Sequence, residues 1–213
     1  MDKIFLESLA NLYASSNLLE PFMSLREAIK KFNESDSQWI GLLRDILFVV
    51  TVVVIFTSVS QITLGLWSPM VAVESGSMIP HIQIGDIIFV ESIDRTSLIT
   101  NKAGIEKDYT SFGDYGDVIL YRPYGKEKVT PIIHRAMYYI EEGEPMWADG
   151  PSAPNSGFIT KGDNTKTNPS YDQQGSISYQ QPVKKEWIIG VARFYRIPFL
   201  GYVSLIPRKI LNV

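Results

Sequence analysis

Residues 46–66 contain no charged side chain, and this run constrains the chain more than any other feature. Read as a helix, it extends about 32 Å at 1.5 Å per residue, close to the roughly 30 Å hydrocarbon core of a bilayer. Helices buried in soluble cores rarely run past about 14 residues without a charge, so the run predicts one transmembrane helix over 46–66. Arg44 and Asp45 bound it on one side, and Trp67 stands at the other end, where an interfacial aromatic belongs. Lys3, Arg26, Lys30, Lys31 and Arg44 precede the run, whereas nothing basic follows it until Arg95. The positive-inside rule therefore predicts a cytoplasmic N-terminus, with everything beyond Trp67 outside. The run is too long and too far from Met1 for a cleaved signal peptide, and it has no small-x-small site closely after it. A retained signal anchor is expected.

The stretch before the run reads as a polar helical segment over 1–45. Ile4, Phe5, Leu9 and Leu12 share one helical face until Ser15-Ser16-Asn17 breaks it. Leu18, Phe22, Leu25, Ile29 and Phe32 then form a second apolar stripe, with Arg26, Glu27, Lys30 and Lys31 on the other side and Pro21 in the first turn. Such a helix packs on its neighbour or lies on the bilayer surface. Residues 33–37 read as a loop. Beyond the run the rhythm changes to short apolar stretches at 71–73, 87–90, 118–121, 132–133, 137–140, 158–160 and 187–195, separated by Gly, Pro, Asn and Asp. This predicts a mainly β domain over 67–213. Residues 92–115 and 141–157 fit no strand and read as surface insertions with local structure or a functional lip. Residues 196–213 are apolar but short and broken by proline, so a second span is not expected.

Composition narrows the chemistry. A net charge of −3 over 213 residues argues against a nucleic-acid partner. With no cysteine and only His81 and His134, neither a disulfide framework nor a recognisable metal-ligand set is expected, and no cofactor motif is present. One loop draws attention: Ser75-Gly76-Ser77-Met78-Ile79-Pro80, closed by Gly85-Asp86, a small-residue turn that can present the Ser77 hydroxyl. A serine hydroxyl needs a base to become a nucleophile. An imidazole with an ordinary pKa near 6.5 suits that task, and both His134, at the end of a strand-like run, and His81, in the serine loop itself, qualify. Lys161-Gly162-Asp163-Asn164 reads first as turn chemistry. Asp163 and the later Asp172 nonetheless supply two carboxylates, either of which can orient a histidine.

In their order along the chain, these motifs resemble those of type I signal peptidases: Ser75-Gly76-Ser77-Met78-x-Pro80, Gly85-Asp86, Gly116-Asp117-Val118-Ile119-Leu120, Ile133-His134-Arg135, Lys161-Gly162-Asp163-Asn164 and Asp172. The resemblance runs from about residue 70 to 202. A histidine where bacterial enzymes carry lysine makes it similar to the archaeal branch and to the eukaryotic catalytic subunit. The resemblance implies an antiparallel β catalytic domain behind N-terminal helices and one anchor. It implies Ser77 as nucleophile, His134 as general base, Asp172 as its partner with Asp163 in support, and Ser75 with the Ser77 N–H as oxyanion donors. His81 is thereby reduced to a loop residue. The gap between Asp163 and Asp172 is longer than in many relatives.

The implied activity is a membrane-anchored serine endopeptidase that removes signal peptides from preproteins at small-residue sites. The implied partners are signal peptides, the lipid bilayer and the secretion translocon, and the implied location is a cell membrane. Ser77 lies about ten residues past the run, no more than about 35 Å from the bilayer at roughly 3.3 Å per residue, which suits that substrate. The rival readings are a catalytically silent, membrane-tethered binding module and a self-cleaving repressor-type protease. The latter would be soluble and pair its serine with lysine.

Overall fold

The computed structural model describes residues 20–203, 205 and 206, without the side chains of 20–25, 194 and 195. The apolar stripe expected over residues 4–12 lies outside the described residues. The chain divides into two compact units, Met1–Phe56 and Thr57–Val213.

The first unit holds helix α1 (Glu20–Asn33) and most of helix α2 (Gln38–Leu64). Between them, Arg44 donates to the Asn33 carbonyl at 2.6 Å. α2 has 27 residues and is long and apolar enough to cross a membrane. The helix begins eight residues before the run expected to span the membrane, 46–66, and ends two residues short of its end. Charge does not stop a helix, so Arg44 and Asp45 lie inside α2. At the far end Gly65 adopts φ +72°, a left-handed conformation that glycine takes freely, and the chain leaves the helix there. Two side chains close this end within the second unit. The Arg95 guanidinium donates to the Ile62 carbonyl, and Ser60 Oγ donates to the Leu66 carbonyl at 2.5 Å.

The second unit is built on a six-stranded antiparallel sheet, as the resemblance implied. Its strands are β1 (Met70–Ala72), β2 (Ile87–Ser92), β5 (Val118–Tyr121), β6 (Ile132–Ile140), β7 (Gly157–Lys161) and β8 (Ile188–Ile197), in the order β1-β2-β8-β5-β6-β7. β5 lies between β8 and β6, and all four of its residues are buried. Successive strand side chains point to opposite faces. Val118 and Leu120 accordingly join Val73, Met78, Ile82, Ile88, Val90 and Ile133 in one core cluster, while Ile119 and Tyr121 join Ala136, Val183, Ile188 and Val191 in another.

The two runs at 132–133 and 137–140 are a single strand. Their apolar pattern is interrupted by His134 and Arg135, which are 1% exposed and satisfied by carboxylates, so polar residues sit where alternation predicts a break. The strand bulges between Ala136 and Tyr138. The 92–115 insertion carries local structure: helix α3 (Asn101–Lys107), with Thr100 Oγ1 accepting from the Ala103 N–H, then a hairpin of β3 (Thr110–Ser111) and β4 (Asp114–Tyr115). The hairpin turns through Phe112 and Gly113, both at positive φ. In the 141–157 insertion, Pro145 bridges Ser152, and Tyr138 Oη donates to the Met146 carbonyl at 2.7 Å.

Candidate active site

Ser77 sits in the turn that follows β1. The turn is anchored by the two apolar side chains its sequence supplies, Met78 and Ile82, both fully buried. The His81 and Ile82 N–H groups both donate to the Met78 carbonyl, at 2.9 and 3.0 Å. Ser75 Oγ lies 3.2 Å from Ser77 Oγ.

The turn is gripped by the Gly162-Asp163-Asn164 loop. The Asn164 N–H donates to the Ser77 carbonyl and Asn164 Nδ2 to the Gly76 carbonyl, each at 2.8 Å. A Cβ at Gly162 would come within 2.7 Å of the Ser77 carbonyl oxygen, so only glycine permits this approach. Besides forming a turn, the motif is therefore a clamp on the serine loop.

His134 is buried on β6, and its Nδ1 bonds Asp172 Oδ2 at 2.8 Å. That oxygen also accepts from Tyr121 Oη at 2.9 Å and Thr160 Oγ1 at 2.6 Å. Burial alone would raise the Asp172 carboxyl, but hydrogen bonds from His134, Thr160 and Tyr121 hold it below its ordinary value. Burial pushes the Tyr121 phenol well above its own ordinary value, so it stays neutral and donates. An ionised carboxylate only accepts, which places a proton on His134 Nδ1 and leaves Nε2 as the imidazole's acceptor. Sequence reasoning missed Tyr121 and Thr160. Their residue types gave no signal, since a tyrosine ending one apolar strand and a threonine ending another are ordinary strand residues.

Asp163 does not touch His134. It receives Arg135 Nε at 2.9 Å and Nη2 at 2.6 Å, and it bonds His81 Nδ1 at 2.8 Å. Adjacent residues on a strand face opposite ways, so β6 sends His134 to Asp172 and Arg135 to Asp163. His81, reduced to a loop residue by the resemblance, thus has a carboxylate partner of its own.

Ser75, Ser77 and His134 line one cleft of about 560 Å³, together with β1 residues such as Val71 and with residues 130–133. Its walls are largely apolar, from Val73, Leu120, Ile132, Ile133 and Ile177. β1 is an edge strand of the sheet, and β7 pairs with β6 only from Arg135 onward, so two strand edges border the cleft. No lysine lines it among the described residues, and Lys161 instead donates to the Pro169 carbonyl at 3.0 Å.

Fold and site together define an antiparallel β protein that gathers a serine, a histidine–aspartate pair and a peptide-sized cleft behind an apolar helix. No family model matches the chain. It is 31% identical over 144 residues to the signal peptidase complex catalytic subunit sec11 of Aspergillus terreus, covering 65% of this chain and 64% of the relative. The corresponding subunits of Pyricularia oryzae and Sclerotinia sclerotiorum are 31% identical over 138 residues and 32% over 139, each covering 65% of this chain and 63% of the relative. The chain thus spans a little under two thirds of the length of the curated relatives it matches. It is a homologue of these signal peptidase complex catalytic subunits.

Proposed function

We propose that this chain is a membrane-anchored serine endopeptidase that removes signal peptides from preproteins. The observation that carries the reading is that Ser77 and the His134–Asp172 pair serve one cleft bordered by two strand edges. An extended peptide laid between β1 and residues 130–134 can continue the sheet through backbone hydrogen bonds, while the apolar walls take its side chains. The family resemblance implies small residues next to the scissile bond.

The chemistry follows from the arrangement. His134 Nε2 takes the Ser77 hydroxyl proton as Oγ attacks the carbonyl, and Asp172 holds the ring in the required tautomer and stabilises the imidazolium. Ser75 Oγ and the Ser77 N–H stabilise the oxyanion. The same imidazolium then protonates the leaving amine. Water, activated by His134, hydrolyses the acyl-enzyme and restores Ser77.

The basic residues before α2 support a cytoplasmic N-terminus, with the catalytic unit on the far side of a cell membrane or its topological equivalent, beside the translocon that delivers its substrates. The test is incubation of detergent-solubilised protein with a model preprotein, mapping the cut. Wild type should cleave once, after a small residue beyond the apolar segment. Ser77→Ala and His134→Ala should lose activity by about 10⁶ while staying folded. Cleavage at the wild-type rate by either variant would remove the assignment.

A further inference from the structure

We propose that His81 is a positioning residue for Ser77, the arm that fastens the serine turn to the Asp163–Arg135 ion pair beside the base strand. The proposal rests on the reading of Ser77 and His134 as nucleophile and base. It returns to the reaction, in a different role, the histidine that the family resemblance reduced to a loop residue.

Two bonded routes lead from Ser77 to the Gly162-Asp163-Asn164 loop. The first is direct, from Asn164 to the Ser77 and Gly76 carbonyls. The second begins four residues downstream. The His81 N–H is bonded to the Met78 carbonyl, so its backbone moves with the fully buried Met78 that follows Ser77. The ring then reaches Asp163 Oδ2 at 2.8 Å. Asp163 is in turn fixed by two bonds from Arg135, whose Nη1 is held by the Ser111 and Gly116 carbonyls at 2.9 and 2.7 Å. Arg135 directly follows His134 on β6. A continuous chain of hydrogen bonds therefore runs from the serine turn to the residue beside the base, on the face of β6 opposite Asp172.

The ring is confined as well as bonded. A Cβ at Gly113 would come within 2.8 Å of His81 Cδ2, so the β3–β4 turn presses against its other side. His81 also borders a cavity of about 640 Å³ shared with Tyr109, Arg193 and Arg196. Those cations have their own carboxylates: Arg193 pairs with Glu91 and Asp117, and Arg196 with Asp86. Asp163 is paired with Arg135 and accepts only, so His81 Nδ1 donates to it whether the ring is neutral or charged. The clasp is therefore a matter of geometry and is made in both protonation states.

The catalytic need is positional, because a displacement of about 1 Å between reacting groups can cost a hundredfold. The test measures kcat and KM on a model preprotein for the full chain in detergent, with His81→Leu, His81→Asn and His81→Gln beside wild type and Ser77→Ala. His81→Leu should lower kcat by roughly ten- to a hundredfold with KM within about twofold, since the bond orients Ser77 and does not hold substrate. Asparagine places its Nδ2 where Nδ1 stood and should recover kcat to within about threefold, while glutamine, with its amide one carbon too far, should recover less. Wild-type kcat in the leucine variant, a loss in KM alone, or equal turnover by the asparagine and glutamine variants would each overturn the clasp. The asparagine–glutamine comparison decides even if the leucine variant unfolds. Absence of cleavage by wild type beyond Ser77→Ala would instead overturn the functional reading beneath it.

Discussion

Tyr121→Phe isolates one hydrogen bond in the site while leaving the ring in its core. Tyr121 is fully buried, and its hydroxyl donates to Asp172 Oδ2 at 2.9 Å, one of three donors to that oxygen. A hydrogen bond to a charged group contributes about 1.5–3 kcal/mol, and phenylalanine fills the same space, so the variant should be less stable by about that amount at neutral pH. The sign with pH follows from Asp172, whose folded pKa is depressed below its ordinary value. Its ionised form is favoured in the folded state, so its stabilisation is complete above the unfolded pKa near 3.9 and is lost as pH falls through the lower folded value. Removing one donor brings the folded value back upward. The stability difference between wild type and Tyr121→Phe should therefore be constant from about pH 5 to 8 and shrink only in acid, as the pH falls through the variant's folded value and then the lower wild-type one. Denaturant unfolding across pH 3.5 to 8 reads this directly. Turnover should fall only about threefold to tenfold, because His134 and Thr160 still hold the carboxylate. A stability difference that is absent at pH 7, or that grows as the pH falls, would refute the role of this bond. Turnover as low as in a variant lacking Asp172 would refute the claim that Tyr121 only supports it.

Asp163→Ala should cost stability as well as turnover. It leaves Arg135, 1% exposed, without its carboxylate, and breaking a buried pair from one side costs about 3–5 kcal/mol, measurable as a lowered denaturation midpoint. Full stability in that variant would mean that Arg135 finds another partner. Gly162→Ala puts a Cβ within 2.7 Å of the Ser77 carbonyl oxygen. It should lower kcat by roughly tenfold to a hundredfold with little change in KM, and unchanged kinetics would show that the loop can retreat without moving Ser77.

The parts of this site that could be read from the sequence are those whose residue types are themselves chemical. Ser77, His134 and Asp172 stood out because serine, histidine and aspartate at turn and strand-end positions invite a catalytic reading, and the order of the motifs then ranked the candidates. The supports were hidden because their residues look structural. Tyr121 and Thr160 end apolar strands, and nothing in their spacing indicates that both reach one carboxylate oxygen across 51 and 12 residues of chain. The course of β6 was hidden for the converse reason. Two buried polar residues, satisfied by partners distant in sequence, looked like a gap between strands.

The same strand explains why this site has two aspartates with separate partners. His134 and Arg135 are consecutive, so the pleat turns their side chains to opposite faces, and a single carboxylate cannot serve both. Asp172, at the start of a short 3₁₀ turn, meets the imidazole beside Tyr121, whereas Asp163, in the loop after β7, meets the guanidinium and through His81 and its neighbour Asn164 holds the serine turn. In the proposed mechanism one carboxylate orients the base, and the other sets where the nucleophile stands relative to it. Loss of either should therefore slow the reaction, but by routes that experiment can separate. The Asp172 route shows in the acid limb of stability, and the Asp163 route shows in the denaturation midpoint and in the rescue of His81 by asparagine.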